Sequence, residues 1–162
     1  MTFTSFDPRK SIRSKIGDAT WDEDKGEGYA ITVTDSDGET AYIPMYLAEE
    51  VRSEVLAEMP FLDMNLAYCT YEPHDIGAST RKHDAYIDIG LWFTNTDNID
   101  ATSFGKKICD DIINLIRTNQ CSFDGITFIN VEEVRHIRED KAHQVVFHYV
   151  ITVYCLWYDI CT

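Results

Sequence analysis

The sequence has no apolar run approaching the roughly 20 residues that a membrane-spanning helix requires. Its longest, Val145 to Tyr158, is interrupted by His148 and Thr152. The N-terminus has no apolar h-region, so no secretory signal is expected. The chain therefore reads as a soluble protein made and kept inside a cell, unless an assembly carries it out. Paired cysteine motifs are absent too. Cys69, Cys109, Cys121, Cys155 and Cys161 are scattered, odd in number and without a CxxC, a pattern that predicts reduced thiols. Positive charge is scarce: 14 Lys and Arg face 28 Asp and Glu, for a net charge of −14. That balance disfavours nonspecific contact with nucleic-acid phosphates, which needs concentrated Lys and Arg. A phosphate loop is also missing. The run from Gly77 to Lys82 lacks the Walker spacing and is not itself a strand-to-helix connection.

The titratable side chains carry no catalytic signature. His74, His83, His136, His143 and His148 include no pair at the i, i+4 spacing of a zincin helix, and a zinc site would need three ligands converging from separate segments. A Cys69–His148 nucleophile pair requires that their strands be neighbours. Asp97, Asp100, Asp110 and Asp111 would suit a divalent cation only if they converged on one face. Asp97 and Asp100 flank a helix start, where negative charge is favoured anyway. The run Asp35-Ser36-Asp37-Gly38-Glu39 looks like part of a calcium loop. Placing Gly38 at loop position 6, however, puts Val33 at position 1 and Pro44 at position 12, and neither supplies a carboxylate. It is read as a turn. No catalytic, metal-ligating or cofactor-binding residue is assigned, and no cofactor is expected.

What is present is an ordinary globular composition, 44% hydrophobic and 26% charged, over 162 residues. A chain of this length suits one domain that buries roughly two-thirds of its unfolded surface. Asp7-Pro8 starts a short helix with Ile12 and Ile16 on its apolar stripe, and Gly17 is expected to close it in the left-handed cap conformation. Residues 18–28 read as an acidic, glycine-punctuated connection anchored by Trp21. Tyr29–Thr34 and Glu39–Ile43 flank an Asp-Gly turn and form a hairpin. The spacing of Leu47, Val51, Val55 and Met59 predicts a second helix over Pro44–Met59. Leu62–Glu72 alternates Leu62, Met64, Leu66 and Tyr68 on one face, which predicts a half-buried strand. A loop from Pro73 to Lys82 then leads to a strand, His83–Thr94, that buries Ala85, Ile87, Ile89, Leu91 and Phe93. The two strands should make an extended hairpin projecting from the body.

The next helix runs from an Asp100 cap to about Asn119, its stripe formed by Phe104, Ile108, Ile112, Leu115 and Ile116 and broadened by Cys109 and Ile113. Two strands follow. Ile126–Ile137 alternates at Ile126, Phe128, Asn130 and Glu132. His143–Tyr158 is apolar on both faces, so it should be central, with a helix on one side and something else, such as another subunit, on the other. The expected class is α+β: a mostly antiparallel sheet with a ββαββ core packed by a central helix, preceded by an N-terminal helix, a hairpin and a second helix. The single domain 1–162 divides into 1–28 (helix and connection), 29–60 (hairpin plus helix) and 61–162 (the core).

Charge is uneven along the chain. Arg9, Lys10, Arg13 and Lys15 outweigh Asp7 in residues 1–17, ahead of an acidic body. Neighbouring copies could attract each other through such a difference. Tyr86, Trp92, Trp157 and Tyr158 sit on strand faces that one helix cannot all cover, and such an aromatic excess can mark an oligomeric interface.

The segment YEPHDIGASTRKHDAYIDI, followed by TNTDNIDATSFGKKICDDIINLI and the strand HQVVFHYVITVYCLWYD, resembles the tail-terminator and head–tail joining proteins of tailed viruses of bacteria and archaea. The resemblance spans about Leu62 to Asp159. It implies a non-enzymatic structural subunit of a virion, made in the host cytoplasm and assembled, commonly as a hexameric ring, at the end of the tail tube. Its partners would be further copies, the tail tube protein and neck or connector proteins. Genome DNA would pass the lumen without sequence-specific binding, and no membrane is involved. A tube or adaptor protein of the same particle is a second reading; a small hydrolase using His, Asp and Cys groups with a metal is a third. Under the first reading, candidate interface residues are Arg9, Lys10, Arg13, His74, Asp75, Arg81, Lys82, Trp92 and Trp157.

Overall fold

The computed structural model describes residues 5–17, 28–34, 37–51, 59–74, 77, 79–94, 101–141 and 144–160. The protein is α+β; the described residues form a six-stranded mixed sheet and two α-helices. Helix α1 is Pro8–Ile16, strands β1 and β2 are Ala30–Thr34 and Thr40–Leu47, and a 3-10 turn covers Ala48–Glu50. Strands β3 (Phe61–Pro73) and β4 (Thr80–Thr94) precede helix α2 (Ala101–Thr118), and β5 (Phe128–Lys141) and β6 (Gln144–Ile160) complete the sheet. The spatial order is β1-β2-β3-β4-β6-β5. All neighbours are antiparallel except β2 and β3, which pair in parallel over Met45–Leu47 and Leu62–Met64.

Local chemistry accounts for most of these elements. The Asp7 side chain accepts the Arg9 backbone N–H at 3.0 Å and Pro8 occupies the first turn of α1, where its missing donor costs nothing. Gly17 does not take the left-handed cap expected of it. Its φ is −107°, and its N–H caps the helix by donating to the Arg13 carbonyl at 2.9 Å. The β1–β2 turn does use a left-handed glycine, Gly38, at φ 85°. Helix α2 lays Ile108, Cys109, Ile112 and Ile116 on the sheet and pairs Lys106 with Asp110 and Lys107 with Asp111 in water. Asn119 closes it through Nδ2, which donates to the Leu115 carbonyl at 2.8 Å.

The predicted second helix is corrected over its first part. Pro44–Leu47 belongs to β2, and Ala48–Glu50 form a 3-10 turn. Leu47 fits an every-fourth series, but it also ends the alternating set Ile43, Met45, Leu47, all buried, and parallel pairing with β3 selected the second pattern. Residues 52–58 of that prediction, the Trp21 anchor and the Asp100 cap lie outside the described residues.

Two bulges also overturn expected faces. Between Leu66 and Tyr68 the β3–β4 register shifts, so Leu66 pairs with Ile87 on the core side while Tyr68 pairs with Tyr86 on the other. Tyr68 is 58% exposed there, and the core-side Leu66 and Tyr71 of the same half of β3 are exposed as well. In β5 the core-facing residues before the second bulge are Ile129 and Val131, with Phe128 and Asn130 opposite them. The expected Pro73–Lys82 loop is shorter than predicted. Thr80, Arg81 and Lys82 are already in β4, all three paired with β6 and the latter two also with β3, because the alternation of β4 extends through them.

The core lies on one face of the sheet. There α2 packs on β4, β5 and β6, and α1 on β2 and β3. Ile12 of α1 and Ile108, Ile112 and Ile116 of α2 meet Met64, Ile87, Ile89, Phe93, Ile151 and Val153 of the strands.

Candidate functional site: the helix-free face

β6 lies between β4 and β5, and its odd-numbered residues face α2. Its even-numbered residues, with Asp84, Tyr86, Asp88, Gly90 and Trp92 of β4, form the opposite face. Among the described residues no α-helix packs on that face; only the 3-10 turn borders it, at Ala48. Two features are built there.

The first is a row of tyrosines. Tyr68, Tyr86 and Tyr154 are cross-strand neighbours on β3, β4 and β6, with ring centroids 6.4 and 5.5 Å apart. The Tyr154 hydroxyl donates to the Asp84 carboxylate, and Lys82 lies 3.3 Å from the same carboxylate. Burial, then this acceptor charge, pushes the Tyr154 phenol well above its ordinary value. Asn130 continues the row onto β5, held by the Gln120 amide at 3.2 Å.

The second is a recess of about 390 Å³ lined by Ala48, Asp63, Asn65, Asp88, Arg135 and His148 around Gly90. Gly90 is required there by close approach. A Cβ on it would lie 2.7 Å from His148 Nε2 and closer still to Asp63 Oδ1. The His148 ring stacks on Trp92 at 3.6 Å, and Trp92 in turn stacks on Phe61 at 6.2 Å. Thr152 Oγ1 donates to Asp88 at 2.6 Å, and the Arg135 guanidinium lies 3.6 Å from the other Asp88 oxygen. Burial raises the Asp63 carboxyl above its ordinary value, opposed by backbone donors, and the buried Trp92 indole Nε1 has no hydrogen-bond partner. Burial also lowers His148 below the ordinary imidazole value, which favours the uncharged ring.

This geometry suits polar and aromatic contact better than bond-breaking chemistry. Cys69 and His148 cannot form a nucleophile pair. Cys69 is level with Ala85 and Cys155 on the core side, whereas His148 is level with Trp92 on the helix-free face. The thiols of Cys109 and Cys155 are buried, which pushes both to about 12. Among the described residues no three His, Cys, Asp or Glu side chains are grouped as metal ligands. Asp97, Asp100 and His143 lie outside the described residues, and Asp110 and Asp111 are committed to their lysines.

The residues expected at an interface fall in four places. Arg9 is bound inside the subunit, between Asp7 at 2.8 Å and Glu49 at 2.7 Å. Arg13 pairs with Glu50 at 2.8 Å and lies over the Tyr29 ring, whereas Lys10 is exposed. His74 and Arg81 cluster at the distal end of the β3–β4 hairpin, His74 against Tyr158 at 4.8 Å and Arg81 over Tyr71 at 5.7 Å. Lys82 is nearby, 3.5 Å from Glu72. Trp92 borders the recess. Trp157 is 5% exposed, on the core side between Phe6 and His83, which leaves it little surface to offer a neighbour. Asp75 is outside the described residues. The sequence pattern does not point to Tyr68, Tyr154, Asp63 or Gly90 as site residues, and it raises His148 only as a metal ligand or a partner of Cys69. The alternating tyrosines of three strands were a legible signal, but their alignment depends on register. No protein-family model matches the chain, and no curated protein matches it at a significant level.

Proposed function

We propose that this protein is a structural virion subunit: a ring-forming tail terminator that caps the tail tube and joins the tail to the neck or capsid. The observation that carries the reading is the helix-free sheet face with its tyrosine row, Tyr68–Tyr86–Tyr154. Tyrosine is enriched at protein interfaces because it offers a large, stiff apolar surface with a polar tip. The chain order β3-β4-α2-β5-β6 agrees with the ββαββ core of the family that the sequence resembles. A head-to-tail ring needs two different patches per subunit, and this face is one of them. The ring would be hexameric, with the tail tube protein and connector proteins on its two sides. A net charge of −14 would keep passing DNA from adhering to the lumen by repelling its phosphates. No catalytic step is assigned to the protein.

Light scattering coupled to size exclusion, with negative-stain imaging, tests the reading. Rings that bind isolated tail tubes are expected from the wild type. Tyr86→Glu should keep the fold by circular dichroism and lose the rings. A wild type that stays monomeric and ignores tail tubes, or a Tyr86→Glu protein that assembles normally, would refute it.

A further inference from the structure

The two long outer edges of the sheet differ sharply in how they are guarded. β5 presents Glu132, Glu133, Arg135, Arg138, Glu139 and Asp140 along its length, and a bulge interrupts it between Val131 and Glu133. Charge and bulges are the usual means by which an edge strand avoids pairing with another chain. β3 is different. β2 accompanies it only as far as Met64. From Asn65 to Pro73, β3 bonds to β4 on one side and, among the described residues, to no strand on the other. Alternate residues of such a strand turn both N–H and C=O outward, so about four residues present unmatched backbone groups there. The side chains are open as well: Leu66 is 39% exposed, Tyr68 58% and Tyr71 68%. Asn65 to Tyr71 contains no charged residue, in a chain whose net charge is −14.

That last fact selects the occupant. Two copies of so acidic a protein repel each other over most of their surfaces, and an uncharged edge is where they can approach. Backbone pairing then supplies the attraction, and the exposed rings supply apolar burial. We propose that the Tyr68–Tyr71 edge of β3 pairs antiparallel with the same edge of a second copy, about a two-fold axis beside Cys69. Identical edges related by a two-fold axis form a closed, self-complementary contact. The bulge at Ala67 sets where the straight run begins. Residues opposite each other must share a face, so with the axis at Cys69 each Cys69 meets its counterpart and Tyr68 meets Thr70. Tyr71 comes opposite the small Ala67, which leaves room for its ring. This contact uses the strand edge and shares only Tyr68 with the ring contact proposed above, which uses the helix-free face, so substitution at position 69 tests the edge apart from the ring.

Position 69 gives a direct test, because a two-fold axis there brings like side chains together. Cys69 is exposed and belongs to neither the tyrosine row nor the Gly90 recess. By sedimentation equilibrium on the full chain, the wild type should associate in twos or in multiples of two. Cys69→Lys alone and Cys69→Glu alone should each weaken that step by about tenfold or more, through like charges set opposite each other. An equal mixture of the two should restore it. A short bismaleimide should join Cys69 to Cys69 in the wild type, as read by peptide mapping, which keeps the proposal testable even if the charged variants fold poorly. The proposal is overturned if the wild type does not self-associate, if Cys69→Lys associates normally, if the mixture of folded variants stays apart, or if the cross-link maps to other cysteines. Rings that persist in Cys69→Lys while the pairing step is weakened support both contacts, whereas rings that persist with pairing undiminished overturn the edge contact and leave the ring reading intact.

Discussion

Replacing Gly90 with alanine places one methyl group between the Asp63 carboxylate and the His148 ring. The added carbon would sit 2.7 Å from His148 Nε2, nearer still to Asp63 Oδ1, and 3.4 Å from Trp92 Nε1. His148 cannot retreat freely, because its other side is stacked on Trp92 at 3.6 Å. Asp63 can rotate, but doing so gives up the donors that offset its burial. Overpacking of this sort costs roughly 1–3 kcal/mol, and the entropy recovered by removing a strand glycine offsets roughly 0.5–1 kcal/mol of that. The net expectation for Gly90→Ala is a loss of about 1–2 kcal/mol, or about 3–6 °C in melting temperature for a chain of this size. Urea denaturation followed by Trp fluorescence measures it. Gly77→Ala is the control: a Cβ there meets nothing within 4 Å, and the change should stay within about 0.5 kcal/mol. Since the clash is with Asp63, Asp63→Ala should absorb part of the Gly90→Ala cost, with a coupling of about 0.5 kcal/mol or more in a double-mutant cycle. A Gly90→Ala protein as stable as wild type, or strictly additive double-mutant energies, would refute the account of the recess.

The same recess makes a prediction about pH. Asp63 has a carboxyl pKa raised in the folded state by burial, so its contribution to stability is fully present below the unfolded carboxylate value and is lost as pH rises through the folded value. Asp63→Asn should therefore be more stable than wild type at neutral pH, with the advantage shrinking as the pH falls into the carboxylate range; denaturation curves across pH would show an unchanging difference if the idea is wrong. In the core, Ile108→Ala removes a side chain fully buried between α2 and the sheet and should cost roughly 2–5 kcal/mol, measurable by the same urea titration. A loss well under 1 kcal/mol would mean that α2 does not hold the sheet as described.

Much of the fold is legible along the chain because the signals are local. The cap at Asp7-Pro8, the Asp-Gly turn at Gly38, the alternation of β4 and the stripe of α2 each depend on residues a few positions apart, and each appears where the pattern puts it. The misreadings share a cause. Leu47 satisfied two periods at once, and pairing with β3 decided between them. Arg81 and Lys82 have loop-like chemistry, yet ladder bonds from β3 and β6 hold them in a strand. Tyr68 continued an apolar series until a single bulge turned it outward, and no local preference marks where a bulge falls.

The candidate site divides in the same way. The sequence alone established an acidic chain with few cations, an α+β element pattern and more strand aromatics than one helix can cover, because composition and short-range periodicity are properties of the chain itself. Only the tertiary structure decided that Tyr68, Tyr86 and Tyr154 form one row, that Asp63 and His148 meet over Gly90, that Arg9 and Arg13 form ion pairs within the subunit, and that β3 rather than β5 has an unguarded edge. Those facts depend on register between strands far apart in sequence. Register is set by the collective burial of one sheet face against α1 and α2, which no single segment encodes.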